Sequence, residues 1–308
     1  MRGGTLARIS PLLLLLASLL WGATFVAQAI GAEHVGAFTY LASRSWVGVA
    51  VLLPVIALLK KKGISSKRPT RRELLTGGVT TGFLLFAASA AQQIGIASTT
   101  AGKSGFITAM YVVLVPIVSV FLKRLPPKKI WISVLLTVAG MYLLCIKSDF
   151  TVGIGDLWTM LAAFLFSFQI LAVSHYVRLA DGVTLTCLEF FFEAIFASIM
   201  MLITERGTTV AEFRAALPAI LFAGLFSSGV AYTLQTIAEE HVSPPVASLL
   251  MCMESVFSVF FGWLILGEAM GQREAWGCVL MFAAILLSQM PVEDLFIKKR
   301  RQRDENLA

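Results

Sequence analysis

Charge is scarce in this chain. Asp, Glu, Lys and Arg make up 14% of its residues, against about 25% in an ordinary soluble domain. Histidine and cysteine are rarer still, with three and four residues in 308. The shortage of charge excludes a soluble enzyme, a disordered protein and a nucleic-acid-binding domain. Cys145, Cys187, Cys252 and Cys278 fall in apolar stretches without CxxC spacing and without a neighbouring histidine, so they read as small buried hydrophobes. No disulfide, metal or cofactor is expected. A nucleotide-binding loop is also lacking. Gly102-Lys103-Ser104 ends like one, but the pattern needs Gly five residues before Gly102, where Ala97 stands. Any uphill work must then come from an ion gradient or from a solute's own gradient.

What the chain has is apolar sequence. Hydrophobic residues make up 57% of it, and its mean hydropathy is +0.83. A bilayer span needs about 20 such residues. Charge-free runs of that order separate Arg8 from Glu33, Glu73 from Lys103, Lys103 from Lys123, Lys129 from Lys147, Asp156 from Arg178, Arg214 from Glu239, and Glu274 from Glu293. Three further runs hold one or two charges: Arg44, then Glu189 with Glu193, then Glu254. The reading is an all-α integral membrane protein of ten spans, centred near residues 20, 48, 85, 113, 138, 166, 193, 226, 256 and 283. Pro126-Pro127, Pro244-Pro245, Asp181-Gly182 and Glu205-Arg206-Gly207 supply turns between spans. Arg2 and Arg8 followed by Leu12–Leu16 and Ala27-Gln28-Ala29 have the outline of a cleavable signal peptide. The charge-free run of 24 residues is long for that and suits a span.

Lys and Arg set the orientation. With the N-terminus cytoplasmic, 19 of the 25 basic residues fall inside and five outside, with Arg44 within a span. Both termini are therefore expected on the cytoplasmic side of the cytoplasmic (inner) membrane. The net charge of +7 is explained by this basic rim and calls for no nucleic acid. The tail Lys298–Arg303 is expected to attract anionic lipid.

The chain divides near residue 150. At an offset of 143, Gln92 aligns with Gln235, Ile94 with Ile237 and Met110 with Met253. The expected organisation is a cytoplasmic N-terminus (1–10), a first five-helix repeat (11–147), a second (153–291) and a basic cytoplasmic tail (292–308). Five spans is an odd number, so the second repeat must be inverted relative to the first, as in carriers that alternate between two open states.

Leu20-Trp21-Gly22, Arg44, the run from Ile94 through Lys103 to Tyr111 and Pro116, Met253-Glu254-Ser255-Val256-Phe257, Gly262-Trp263 and Gly267-Glu268 follow one another in an order that resembles the drug/metabolite transporter superfamily. The likeness is to its EamA-type ten-helix exporters and spans residues 11–291. Ser255 stands where that family often has Pro, and Leu125 where it often has a Gly-Glu-like turn. The resemblance implies a central cavity lined mainly by spans 1, 3, 4, 6, 8 and 9. It does not carry a substrate with it.

Charges inside spans are the leading site candidates, each costing roughly 2.5–3.5 kcal/mol at a helix centre. Glu254, near the midplane, reads as a proton or cation site, a gate, or a hydrogen-bonded packing group. Glu189 and Glu193 share one helical face. Two carboxylates there repel, which suits a proton relay; the alternative places Glu189 near the cytoplasmic end, solvated or paired with Arg178. Arg44 is expected in a structural ion pair, with an anionic-substrate site as the other reading. Gln92, Gln169 and Gln235 bond to neighbouring helices or to a solute. Tyr111 and Trp21 are candidate cavity residues. Lys103 is expected to snorkel, and Pro116 to kink the fourth span. The function expected is secondary transport, the export of a small organic, amino-acid-like metabolite by alternating access. Protons are the candidate coupling ion, and the chain is expected to be a monomer in the lipid bilayer. The rivals are multidrug efflux of lipophilic cations and a non-transporting scaffold or membrane enzyme.

Overall fold

The computed structural model describes residues 2–61, 69–123, 125–145, 152–205, 207–267 and 272–289. Lys62, Lys67, Arg68, Arg124, Lys147, Arg206, Glu268 and the basic tail lie outside the described residues, as does the side chain of Cys145. Among the described residues no strand occurs, and the chain forms ten helical rods. They are α1 (Arg2–Ala32), α2 (Ala37–Lys61), α3 (Arg71–Ile96), α4 (Ala101–Phe121), α5 (Lys128–Cys145), α6 (Ile154–Tyr176), α7 (Gly182–Thr204), α8 (Val210–Glu239), α9 (Pro244–Ile265) and α10 (Gln272–Gln289). Eight of them, α1–α4 and α6–α9, are long and apolar enough to cross a membrane, and Ala275–Ser288 within α10 is a shorter apolar stretch.

Local chemistry fixes where the rods begin and end. The first backbone N–H groups of a helix lack partners within it. At the start of α3 the Thr70 hydroxyl accepts from Glu73 N, and the Glu73 carboxylate accepts in return from Thr70 N at 2.7 Å. Thr209 and Glu212 repeat this arrangement at the start of α8. Such reciprocal caps satisfy two free donors at once. Asp181 caps α7 and Thr100 caps α4, each through its side-chain oxygen. Pro244 opens α9, where its missing N–H costs nothing, and Gly267 closes it in a left-handed conformation at φ 69°.

Three rods are internally irregular. α4 is interrupted at Ala109–Met110, where Val112 N and Val113 N each donate to the carbonyl three residues back at 3.0 Å. α9 is interrupted at Cys252–Met253, 143 residues later, the same offset that aligns Gln92 with Gln235. Pro116 is not the cause of the first interruption. It lies six residues beyond Met110, inside the regular segment Tyr111–Phe121, and its counterpart in α9 is Val259. In α8 the stretch Ala223–Ala231 is a π-helix, a wide form that favours functional sites.

The packing follows one pattern. α3 lies on α6 and α8 on α1. α2 lies on α8 and α7 on α3. α9 lies on α1 and α4 on α6. α2 pairs with α7, α4 with α9, and α5 with α10. Exchanging the first five helices with the last five leaves this set of contacts unchanged. Small residues bring the axes together. A Cβ on Gly22 of α1 would meet Phe257 Cβ of α9 at 2.3 Å, and one on Gly82 of α3 would meet the Glu189 carbonyl of α7 at 2.7 Å. These contacts predict that Gly22→Val, which overpacks the α1–α9 contact, destabilises the protein by about 1–3 kcal/mol. A lowered thermal unfolding midpoint in detergent is the expected reading. Gly207→Ala meets no neighbouring atom within 4 Å, so any loss there comes from the backbone, held at φ 115°, and not from a clash.

Candidate functional site

A cavity opens between the first five helices and the last five. α1 lines it with Trp21, Thr24, Phe25 and Gln28. α3 supplies Gln92, and α4 supplies Thr108 and Tyr111 on either side of its interruption. α6 contributes Phe166, Gln169 and Ile170; α8 contributes Ser227 from its π stretch, then Tyr232 and Gln235; α9 contributes Met251 and Glu254 around its own break. The six helices implied by the resemblance are all present, and α2 joins them through Arg44. Of the candidate residues, Trp21, Arg44, Gln92, Tyr111, Gln169, Gln235 and Glu254 meet here. Glu189 and Glu193 stand behind the wall, and Lys103 and Pro116 lie elsewhere.

The cavity has two amide-lined ends. Towards the face where α1 ends, Gln28 Nε2 donates to Gln92 Oε1 at 3.0 Å, and Gln92 Nε2 to Thr108 Oγ1 at 3.1 Å. Towards the face where α1 begins, Gln169 Nε2 donates to Glu189 Oε1 at 2.8 Å and Gln235 Nε2 to Glu239 Oε1 at 2.7 Å. Aromatic rings fill the middle: Trp21 meets Tyr232 edge-on with centroids 4.9 Å apart, and Phe190 supports Tyr232 from behind at 5.1 Å.

Several polar atoms on this wall are buried with no protein hydrogen-bond partner. They are Trp21 Nε1, Arg44 Nε and Gln235 Oε1, joined by Tyr111 Oη and Glu254 Oε1, which lie beyond close hydrogen-bond geometry although the tyrosine hydroxyl faces the carboxylate. Leaving such a group unsatisfied costs about 1–3 kcal/mol, more if it is charged. Donors and acceptors are both represented among these atoms. Among the described residues no group of three or more His, Cys, Asp or Glu could hold a metal ion.

The intramembrane charges are paired or enclosed. Arg44 is 2% exposed and does not snorkel. Its guanidinium lies 3.7 Å from Glu193 Oε1, and Glu193 Oε2 accepts from Ser45 Oγ at 2.8 Å. Glu189 is 0% exposed rather than solvated, while Arg178 is exposed. α7 begins at Gly182, which sets Glu189 two turns inside the helix, and the α3 backbone at Gly82 closes over it. Lys103 belongs to a separate tie, in which its Nζ lies 2.6 Å from Asp156 Oδ2 while Asp156 Oδ1 accepts from Thr99 Oγ1.

Three carboxylates matter here that charge counting treats as span boundaries or turns. Asp156 draws the start of α4 onto α6. Glu205 accepts from Phe38 N and Thr39 N and so caps α2 from the end of α7. Glu239, the last residue of α8, is 0% exposed. One signal for Glu239 was available, since it lies four residues after Gln235 and so shares its helical face.

The EamA-like transporter family model matches this chain twice, over residues 8–146 and 153–290. The chain belongs to the EamA-like transporter family. An uncharacterized transporter of Archaeoglobus fulgidus is 28% identical over 284 residues, covering 91% of this chain and 85% of that protein. A protein of known crystal structure superposes with a TM-score of 0.74 at 17% identity, over 94% of this chain and 99% of the other, a likeness of fold. The protein is therefore a multi-pass membrane transporter and not an enzyme.

Removing one member of a buried ion pair strands the other. Arg44→Met is expected to cost the transporter about 3–5 kcal/mol by leaving Glu193 unpaired, and adding Glu193→Leu to recover most of that loss. Thermal midpoints of the two single variants and the double variant in detergent check the coupling. Equal loss in Arg44→Met and in the double variant would show that the guanidinium does not stabilise the fold through Glu193.

Proposed function

We propose that the protein exports a small organic, amino-acid-like metabolite across the cytoplasmic membrane by alternating access, with protons as the coupling ion. The observation that carries this reading is the cavity wall, with its buried, unpartnered donors and acceptors drawn from both halves. A guanidinium edge and a carboxylate oxygen on one wall suit a solute with both acceptor and donor groups. Trp21, Phe166 and Tyr232 give it apolar surface to lie against. A purely lipophilic cation answers Glu254 but not Arg44, whose fixed positive charge lies on the same wall. For that reason multidrug efflux is the weaker reading.

Ten spans in two inverted repeats form the frame of this proposal. It draws support from the two family matches, the paired interruptions of α4 and α9, and a contact pattern that survives exchange of the halves. Each half holds five helices, an odd number, and so the second enters the bilayer from the opposite side. The basic residues put both termini in the cytoplasm. One chain encloses the whole cavity, which suits a monomer.

Untargeted profiling of metabolites in the medium of expressing cells tests the proposal. At least one compound should accumulate outside with wild type. Glu254→Gln keeps the shape but weakens a charge-assisted contact, and should lower that export about tenfold to a hundredfold. Equal export by both proteins would remove Glu254 from solute recognition. No change in any compound, with both proteins in the membrane, would remove export itself.

A further inference from the structure

Glu189 and Glu239 stand apart from the groups that face the solute. Both are 0% exposed, and neither lines the cavity. Each is held instead by an amide that does, Gln169 for Glu189 and Gln235 for Glu239. The other oxygen of each carboxylate is buried without a hydrogen-bond partner. The same is true of Gln235 Oε1, whose residue is 1% exposed. Acceptor oxygens with no donor call for a hydrogen or a cation.

The surroundings select which. Among the described residues Arg44 is the buried base, and it is committed to Glu193. The other titratable groups bearing on the pair are Glu193, one turn further along α7 from Glu189, and Tyr232 of α8, while Glu189 itself bears on Glu239; none of them is cationic. Arg8 of α1 and His175 of α6, near the helix ends on the same face as Glu239, are exposed. No set of ligands for a metal ion is present among the described residues. A single hydrogen per carboxylate meets the need, since a carboxylic acid donates where a carboxylate cannot.

Resting on the transporter reading above, we propose that Glu189 and Glu239 are its proton-carrying pair. Each carboxylate binds one H⁺ at its unpartnered oxygen to become a carboxylic acid, and releases the same H⁺ to return; no electrons move. Glu239 ends α8 directly before the exposed Glu240 and His241, so its proton exchanges with water on that face. Glu189 reaches the cavity through Gln169, whose amide is shared between the carboxylate and the solute space. Glu254 is left to the solute.

The proton itself is the probe. Full-length protein in proteoliposomes is followed by pH-difference infrared spectroscopy. Wild type should lose carboxylic C=O absorbance as pH rises across the neutral range. Glu239→Gln should remove one component and Glu189→Gln another, while Glu254→Gln keeps both. Glu239→Asp should retain its component at a shifted position, which separates loss of the proton site from loss of the fold. A wild-type spectrum without a titrating carboxylic band, or a band that survives in both Gln variants, overturns the pair. The transport reading is tested separately by wild-type export of a metabolite. Export that fails while the infrared components behave as expected would sink that reading and leave the proton site standing. Uphill export unchanged in Glu239→Gln would sink the pair and leave the transporter.

Discussion

Hydrocarbon offers a peptide group no hydrogen bond, so the backbone that crosses a bilayer must satisfy itself within the chain. That constraint explains why every described rod here is helical. It also explains where the exceptions lie. The interruptions at Ala109–Met110 and Cys252–Met253 are flanked by Thr108 and Tyr111, and by Met251 and Glu254, all of them cavity residues. The π stretch of α8 carries Ser227 to the same wall. Irregular backbone at membrane depth is tolerated where it is enclosed by protein or lines a polar cavity. The helix breaks and the cavity thus share one cause.

The same constraint governs charge. Among the described residues, three charged ties between the halves have their donor in the first and their acceptor in the second: Arg44 to Glu193, Lys103 to Asp156, and the backbone N–H groups of Phe38 and Thr39 to Glu205. The pairs differ in strength. The Lys103 side chain is 26% exposed, and such a pair contributes at most about 1 kcal/mol. Arg44 and Glu193 are enclosed, and each depends on the other to remain charged in hydrocarbon. Where α1 begins, the halves also meet through apolar contacts, with Leu74 packed against Val177, Ala180 and Leu185.

Much of this was legible from the gaps between charges. Those gaps mark seven of the ten rods, and the apolar runs that hold Arg44, Glu189 with Glu193, and Glu254 mark the other three, because hydrocarbon thickness and helix rise leave little freedom in span length. The offset of 143 residues anticipates the paired breaks through Met110 and Met253. Cavity residues were partly legible too. Polar side chains such as Gln92, Gln169, Gln235 and Glu254 are rare inside spans and therefore conspicuous. What could not be read is partnership. Nothing in the spacing of Arg44 and Glu193, 149 residues apart, says that α2 meets α7. Asp156 and Glu239 went unmarked because a charge at the end of an apolar run looks like a boundary in water. Pro116 does not account for the break in the ladder, which lies at Ala109–Met110 and recurs in α9 without a proline.

The two breaks make one further point. The residue that follows the interruption is Tyr111 in α4 and Glu254 in α9, at equivalent places in the two halves. The frame repeats while the chemistry does not. Unlike groups at equivalent positions do something the frame cannot, which is to distinguish one end of a solute from the other. The first half offers a neutral hydroxyl and the cation of Arg44. The second offers the carboxylate of Glu254. The cavity therefore presents a cation from one half and a carboxylate from the other.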